Sequence, residues 1–82
     1  MKVKVNVVRE IEVEINNPAI AELDNWWRTH DRAVWMKNSP SELIETSMRA
    51  VEETVGIPFG DDDAKETIVS VCAMDGEPIL EW

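Results

Sequence analysis

Few residues in this chain are of the kinds that make and break bonds, and their spacing limits what they can do together. His30 is the only histidine, and Asp31 is its neighbour. Adjacent residues on a helix point about 100° apart, so these two do not chelate one ion as a pair. A zinc site needs three or four converging ligands, and Cys72, the single cysteine, is far away in the sequence. His30 is better read as a helix-terminal residue facing the negative end of the dipole.

Asp61-Asp62-Asp63 is the densest run of oxygen donors. A calcium loop alternates its ligands over about twelve residues and closes on a bidentate acid. The run does neither, and reads as a solvated tip in which Asp63 caps a short turn. Ser39, Ser41, Ser47 and Ser70 have no nucleophile elbow around them, and only one histidine could serve as their base. Gly56, Gly60 and Gly76 are accounted for by a helix cap and turns, so no loop is left to cradle a phosphate. Cys72 lies in a strand-like run and reads as a small buried apolar residue. No catalytic, cofactor-binding or metal site is expected, and the chain reads as a non-enzyme.

Charge is the feature that stands out. The chain of 82 residues carries a net charge of −9. Residues 1–40 hold six acids and six bases, whereas residues 41–82 hold eleven acids against Arg49 and Lys65. The second half repels nucleic acid and anionic lipid and attracts a basic protein surface. Glu45, Glu52, Glu53, Asp61, Asp62, Asp63 and Glu66 are the candidate partner-binding acids. Acidic surfaces also serve solubility alone, and that plainer reading stands beside the functional one. Four tryptophans are present. Trp26 and Trp27 fit a core; Trp35 and Trp82 are candidate aromatic contacts with a partner. Without a basic groove, base stacking on them is not expected.

The elements that must position these residues begin with Met1 to Ile15. Apolar side chains occupy Val3, Val5, Val7, Ile11, Val13 and Ile15, and polar ones fill most of the places between. This period of two predicts one long strand with a buried face, with a bulge or bend near Val8-Arg9 where the pattern slips. Asn17 caps and Pro18 opens a helix to about His30, with Ala19, Ile20, Leu23, Trp26, Trp27 and His30 on one face. Residues 29–39 read as an irregular link. Ser39-Pro40-Ser41-Glu42 reads as a capping box opening a helix from Pro40 to about Val55. Its apolar face is Leu43, Ile44, Ser47, Met48, Val51 and Val55. Gly56 ends it in a left-handed cap, and Pro58 blocks continuation. Glu52 and Glu53 crowd the negative end of this helix, a local cost that points to a role beyond stability. Phe59 plugs the core. Lys65 to Met74 is strand-like, with apolar residues on both faces, as in a central strand. Asp75-Gly76 makes a hairpin turn into a last strand that Pro78 confines to an edge.

The expected fold is a single α+β domain over residues 1–82. Two helices pack on one face of a small three-stranded, mainly antiparallel sheet, in the order β-α-α-β-β. With one cysteine, no signal peptide and no long apolar run, the chain is expected to be cytoplasmic and off the membrane. The functional expectation is a non-catalytic protein-interaction module that meets a basic surface, with no metal, no cofactor and no direct contact with nucleic acid. Its sharper form is a phage or mobile-element inhibitor that imitates nucleic acid to occupy a nuclease or another nucleic-acid-binding protein. The alternative is a structural homodimer built on the first strand. Two copies crossing antiparallel near Val8 would place Lys2 opposite Glu14 and Lys4 opposite Glu12, each favourable across a ladder.

Overall fold

That charge pairing is present, but it is made within one chain. A computed structural model describes residues 1–29, 40–60, 63 and 65–81. The predicted long strand is two strands, β1 (Lys2–Asn6) and β2 (Glu10–Glu14), folded into a hairpin. Lys2 faces Glu14, Val3 faces Val13, Lys4 faces Glu12 and Val5 faces Ile11. Every pair is centred on Val8, so odd-numbered residues meet odd-numbered ones. Folding there therefore leaves the apolar residues on one face, as an unbroken strand would. The irregularity expected at Val8-Arg9 is the hairpin tip. Val7 donates its N–H to the Arg9 carbonyl at 2.9 Å, and Val8 is 84% exposed.

Among the described residues the remaining elements are α1 (Pro18–Thr29), α2 (Ser41–Val55), β3 (Ser70–Ala73) and β4 (Pro78–Glu81). The sheet is antiparallel throughout, in the order β2-β1-β3-β4. The α+β class and the two helices match expectation. The strand count does not: the described residues form four strands, in the order β-β-α-α-β-β. β3 is central, as its sequence suggested, but shorter, because Ile68 makes only an isolated bridge to Phe59.

Local chemistry explains the helix ends. The Asn17 side-chain oxygen accepts the Ala19 N–H at 2.9 Å, and Pro18 opens α1. α2 starts at Ser41, one residue later than predicted, with Pro40 in the cap position. The Pro40 carbonyl accepts the first helical bond, from Ile44, at 3.0 Å. Proline has no N–H for Glu42 to bind, so the reciprocal bond of a capping box cannot form there; Ser39 lies outside the described residues. Gly56 closes α2 in the left-handed region, φ 72°, and gives its N–H to the Glu52 carbonyl at 2.8 Å. In the β3–β4 connection Gly76 donates to the Ala73 carbonyl at 2.9 Å with φ 93°. This is a three-residue loop ending in a left-handed glycine rather than a two-residue turn.

One face of the sheet is buried under the helices. Val3, Val5 and Val71 pack there with Ile15, Ile20, Leu23, Val51 and Ile68, all fully buried. Each such side chain contributes about 1.5–3 kcal/mol relative to exposure. Trp27 is half-buried against this core and donates its indole N–H to the Ile79 carbonyl at 2.8 Å, joining α1 to β4. Trp26 meets it edge-on, with ring centroids 4.9 Å apart. Phe59 packs against the core while only partly buried.

A second tie runs over the surface. Arg28 binds Asp24 on its own helix and Asp75 in the β3–β4 loop, the latter at 2.9 Å. The Arg28 hydrogen bond, helped by the Glu77 N–H, holds the Asp75 carboxyl below its ordinary value of 3.8. A depressed carboxylate stabilises the fold above its unfolded pKa and stops doing so as the pH falls through the folded value. The difference in melting temperature between the wild type and Asp75→Asn should thus be widest at neutral pH. It should close as the pH drops well below 3.8; a gap constant with pH would refute this link.

One core position is polar. Ser47 on α2 is fully buried, and its hydroxyl has no hydrogen-bond partner among the described residues. An unsatisfied buried hydroxyl costs about 1–3 kcal/mol. Ser47→Ala should raise the unfolding free energy by about 1 kcal/mol in urea titrations; a fall would show that the hydroxyl has a partner in solution.

Candidate functional site

The acids split into those the fold consumes and those it leaves facing outward. Glu52 belongs to the first group. Its Oε2 accepts the Phe59 N–H at 3.2 Å, holding the chain that returns past Gly56. This carboxylate at the wrong end of the helix dipole thus has a local structural task. Glu66 is also engaged, in a surface pair with Arg9 at 3.1 Å that ties the segment before β3 to the β1–β2 tip. Glu45 pairs with Arg49 one turn on, at 2.8 Å, with both side chains largely exposed. Exposed pairs of this kind contribute a few tenths of a kcal/mol and stay open to exchange with a partner.

Glu42 and Glu53 are exposed on α2, and Asp63 is exposed in the loop beyond it. Asp61, Asp62, Trp35 and Trp82 lie outside the described residues, as do His30 and Asp31. Of the sequence candidates, the structure therefore brings Glu45, Glu52 and Glu53 onto one helix. Of these, Glu45 and Glu53 face solvent. Beside the helix end, Gly56, Ile57, Pro58, Lys65 and Glu66 line a shallow recess of about 410 Å³.

Sequence reasoning missed a second surface, the far face of the sheet. Lys2, Lys4 and Asn6 of β1 and Glu10, Glu12 and Glu14 of β2 lie on it with Ser70 and Cys72 of β3. None of these residues is buried. Cys72 is half-buried there and not a core residue; Lys4 is its cross-strand neighbour, and the Asn6 side-chain amide points at its sulfur from 3.8 Å. The same amide donates to the Ser70 hydroxyl at 3.0 Å. Lys2 reaches Glu12 at 3.8 Å, and the chain's amino group reaches Glu14 at 3.2 Å. The alternation of Lys2, Lys4, Glu10, Glu12 and Glu14 is the signal for this surface, and the charges that could pair two copies pair β1 with β2 instead.

Among the described residues no three His, Cys, Asp or Glu side chains converge as a metal site. No helix among them is long and apolar enough to cross a membrane. The fold and these surfaces define a small α+β domain with an acidic helix and a charged sheet face that no described element covers. No protein-family model, curated protein or solved structure matches the chain.

The split between consumed and outward acids is measurable. Glu52→Ala should lower unfolding stability by about 1 kcal/mol through loss of the bond to Phe59, whereas Glu53→Ala should stay within about 0.5 kcal/mol of wild type. Equal effects in chemical denaturation would contradict the assignment.

Proposed function

We propose that this chain is a non-catalytic protein-interaction module that docks its acidic α2 side on a basic surface of another protein. The observation that carries the reading is the exposed row of α2. Glu42, Glu45 and Glu53 lie outward there, with Arg49 the one base of the helix and already paired to Glu45. Asp63 extends the acidic side beyond the helix end. Glu53 is in the last turn, where the helix dipole disfavours an acid, and among the described residues no hydrogen bond explains its presence. Such a surface speeds encounter with a basic partner and gives binding that weakens with salt. The sharper form is an inhibitor of phage or mobile-element type that covers the nucleic-acid groove of a nuclease. It fits the same charge and size.

The alternative reading, a homodimer built on the amino-terminal strand, has less room. β1 is bonded on both sides, by β2 and β3, so self-pairing would have to use the outer edge of β2.

The test is binding to a panel of basic nucleases, followed by interferometry while salt rises from about 50 to 300 mM. The expected result is a loss of affinity of about tenfold or more over that range, and a similar loss for Glu42→Lys/Glu45→Lys/Glu53→Lys. Binding that ignores both salt and the charge reversal would overturn the reading.

A further inference from the structure

We infer that the outer edge of β2 is a docking site for an extended basic segment of another protein, which adds to the sheet as a fifth strand. The hydrogen-bond pattern shows which way the backbone faces. Met1 and Ile15 exchange bonds in both directions, at 2.9 and 2.8 Å, and Val7 donates to Arg9. In an antiparallel pair the bonded and non-bonded positions alternate. Val13 and Ile11 therefore bond to β1, and the N–H and C=O groups of Glu10, Glu12 and Glu14 point away from it. Among the described residues β2 is outermost in the sheet and no strand pairs with its outer side, so those groups form an open edge.

The side chains of the same strand specify the occupant. Glu10, Glu12 and Glu14 carry carboxylates on the open face, and among the described residues Glu10 makes no ion pair. On the helix face Ile11 and Val13 are only half-buried, although their partners Val5 and Val3 are fully buried. Apolar surface is thus left at this edge. A fitting strand alternates base and β-branched apolar residue. The molecule already contains one such match on the inner edge of β2: Lys2-Val3-Lys4-Val5, with each lysine opposite a glutamate and each valine opposite an apolar residue. Opposite charges and apolar pairs across a ladder are both favourable, and main-chain bonds supply the rest of the affinity.

A second copy of β2 does not fit. Antiparallel pairing about Glu12 would set Glu12 against Glu12 and Glu10 against Glu14, and like charges directly opposite are destabilising. The acids therefore keep the edge from pairing with itself while leaving it open to a basic strand. The other edge of the sheet, β4, contains Pro78, which has no N–H to offer.

This site is separate from the α2 surface and stands or falls without it. The test titrates the full-length, ¹⁵N-labelled protein with the peptide acetyl-Lys-Val-Lys-Val-Lys-Val-Lys-amide. A second titration uses a peptide of identical composition with its lysines and valines in separate blocks. The alternating peptide should shift β2 resonances and slow hydrogen exchange at the Glu10, Glu12 and Glu14 amides by about tenfold or more at saturation. The block peptide, a backbone N-methylated alternating peptide, and the variant Glu10→Gln/Glu12→Gln/Glu14→Gln should each bind about tenfold more weakly or worse. Equal binding of the alternating and block peptides, or shifts confined to α2, would overturn the edge site; the latter pattern would leave the α2 reading in place. Concentration-dependent self-association that protects the same three amides without peptide would overturn it in favour of a second copy.

Discussion

Everything in this fold rests on β1 being held from both sides. Its odd residues, Val3 and Val5, are fully buried beneath the two helices, and its two backbone edges are bonded to β2 and β3. A strand in that position cannot be exposed without unbuttoning both neighbours and uncovering the helices. The hairpin to β2 is the cheapest of these contacts to form. Only Val7, Val8 and Arg9 separate the paired residues Asn6 and Glu10, so the loop-closure entropy is small. The pairing to β3 spans most of the chain and depends on the helices having come between. β1 is thus where the local contact and the long-range contact meet.

The charges fall into layers around that frame. Some acids hold parts of the chain together: Glu52 binds the returning backbone at Phe59, Glu66 reaches Arg9, and Asp75 joins Arg28 to link the β3–β4 loop with α1. Others lie outward along α2 and along β2, where Glu12, Glu14 and Glu45 make exposed pairs with Lys2, the amino group and Arg49. A net charge of −9 says nothing about this division. It emerges only when each carboxylate is placed beside, or away from, the few bases and N–H groups available to it. The consequence is two separate acidic surfaces of different character, one a helix side and one a strand edge whose outward main-chain groups have no strand partner among the described residues.

Several local signals are legible in the sequence, although α2 is capped at Pro40 rather than by a capping box at Ser39 and the β3–β4 turn is one residue longer than Asp75-Gly76 suggests. Asn17-Pro18 starts α1, Gly56 ends α2, and Asp75-Gly76 turns the chain between β3 and β4, because each acts through its own backbone geometry within a few residues. The apolar faces of the helices were legible for the same reason: three- and four-residue spacing needs no tertiary context. Alternation marked an irregularity at Val8-Arg9 but not a reversal of the chain there, because folding about Val8 keeps odd opposite odd on both sides of it. Val7-Val8-Arg9 contains no glycine, proline or asparagine to announce a turn, and the turn is made without any positive φ outside glycine. Cys72 misled for a related reason. Its neighbours Val71 and Ala73 are buried, but it projects to the other face, which no described element covers.

The sequence by itself determined the helices, the Asn17 cap of α1 and the Gly56 cap of α2, the apolar faces and the pairing of Lys2 with Glu14 and Lys4 with Glu12, since these follow from side-chain chemistry at short range or from complementarity at fixed spacing. Only the tertiary structure decided that this pairing closes within one chain. The two arrangements satisfy the same contacts, and connectivity favours the ends already joined by a three-residue tip, which meet at a far higher effective concentration than two separate molecules. It also decided which glutamates are spoken for and which face outward, because that depends on residues distant in the chain being carried to within hydrogen-bond reach.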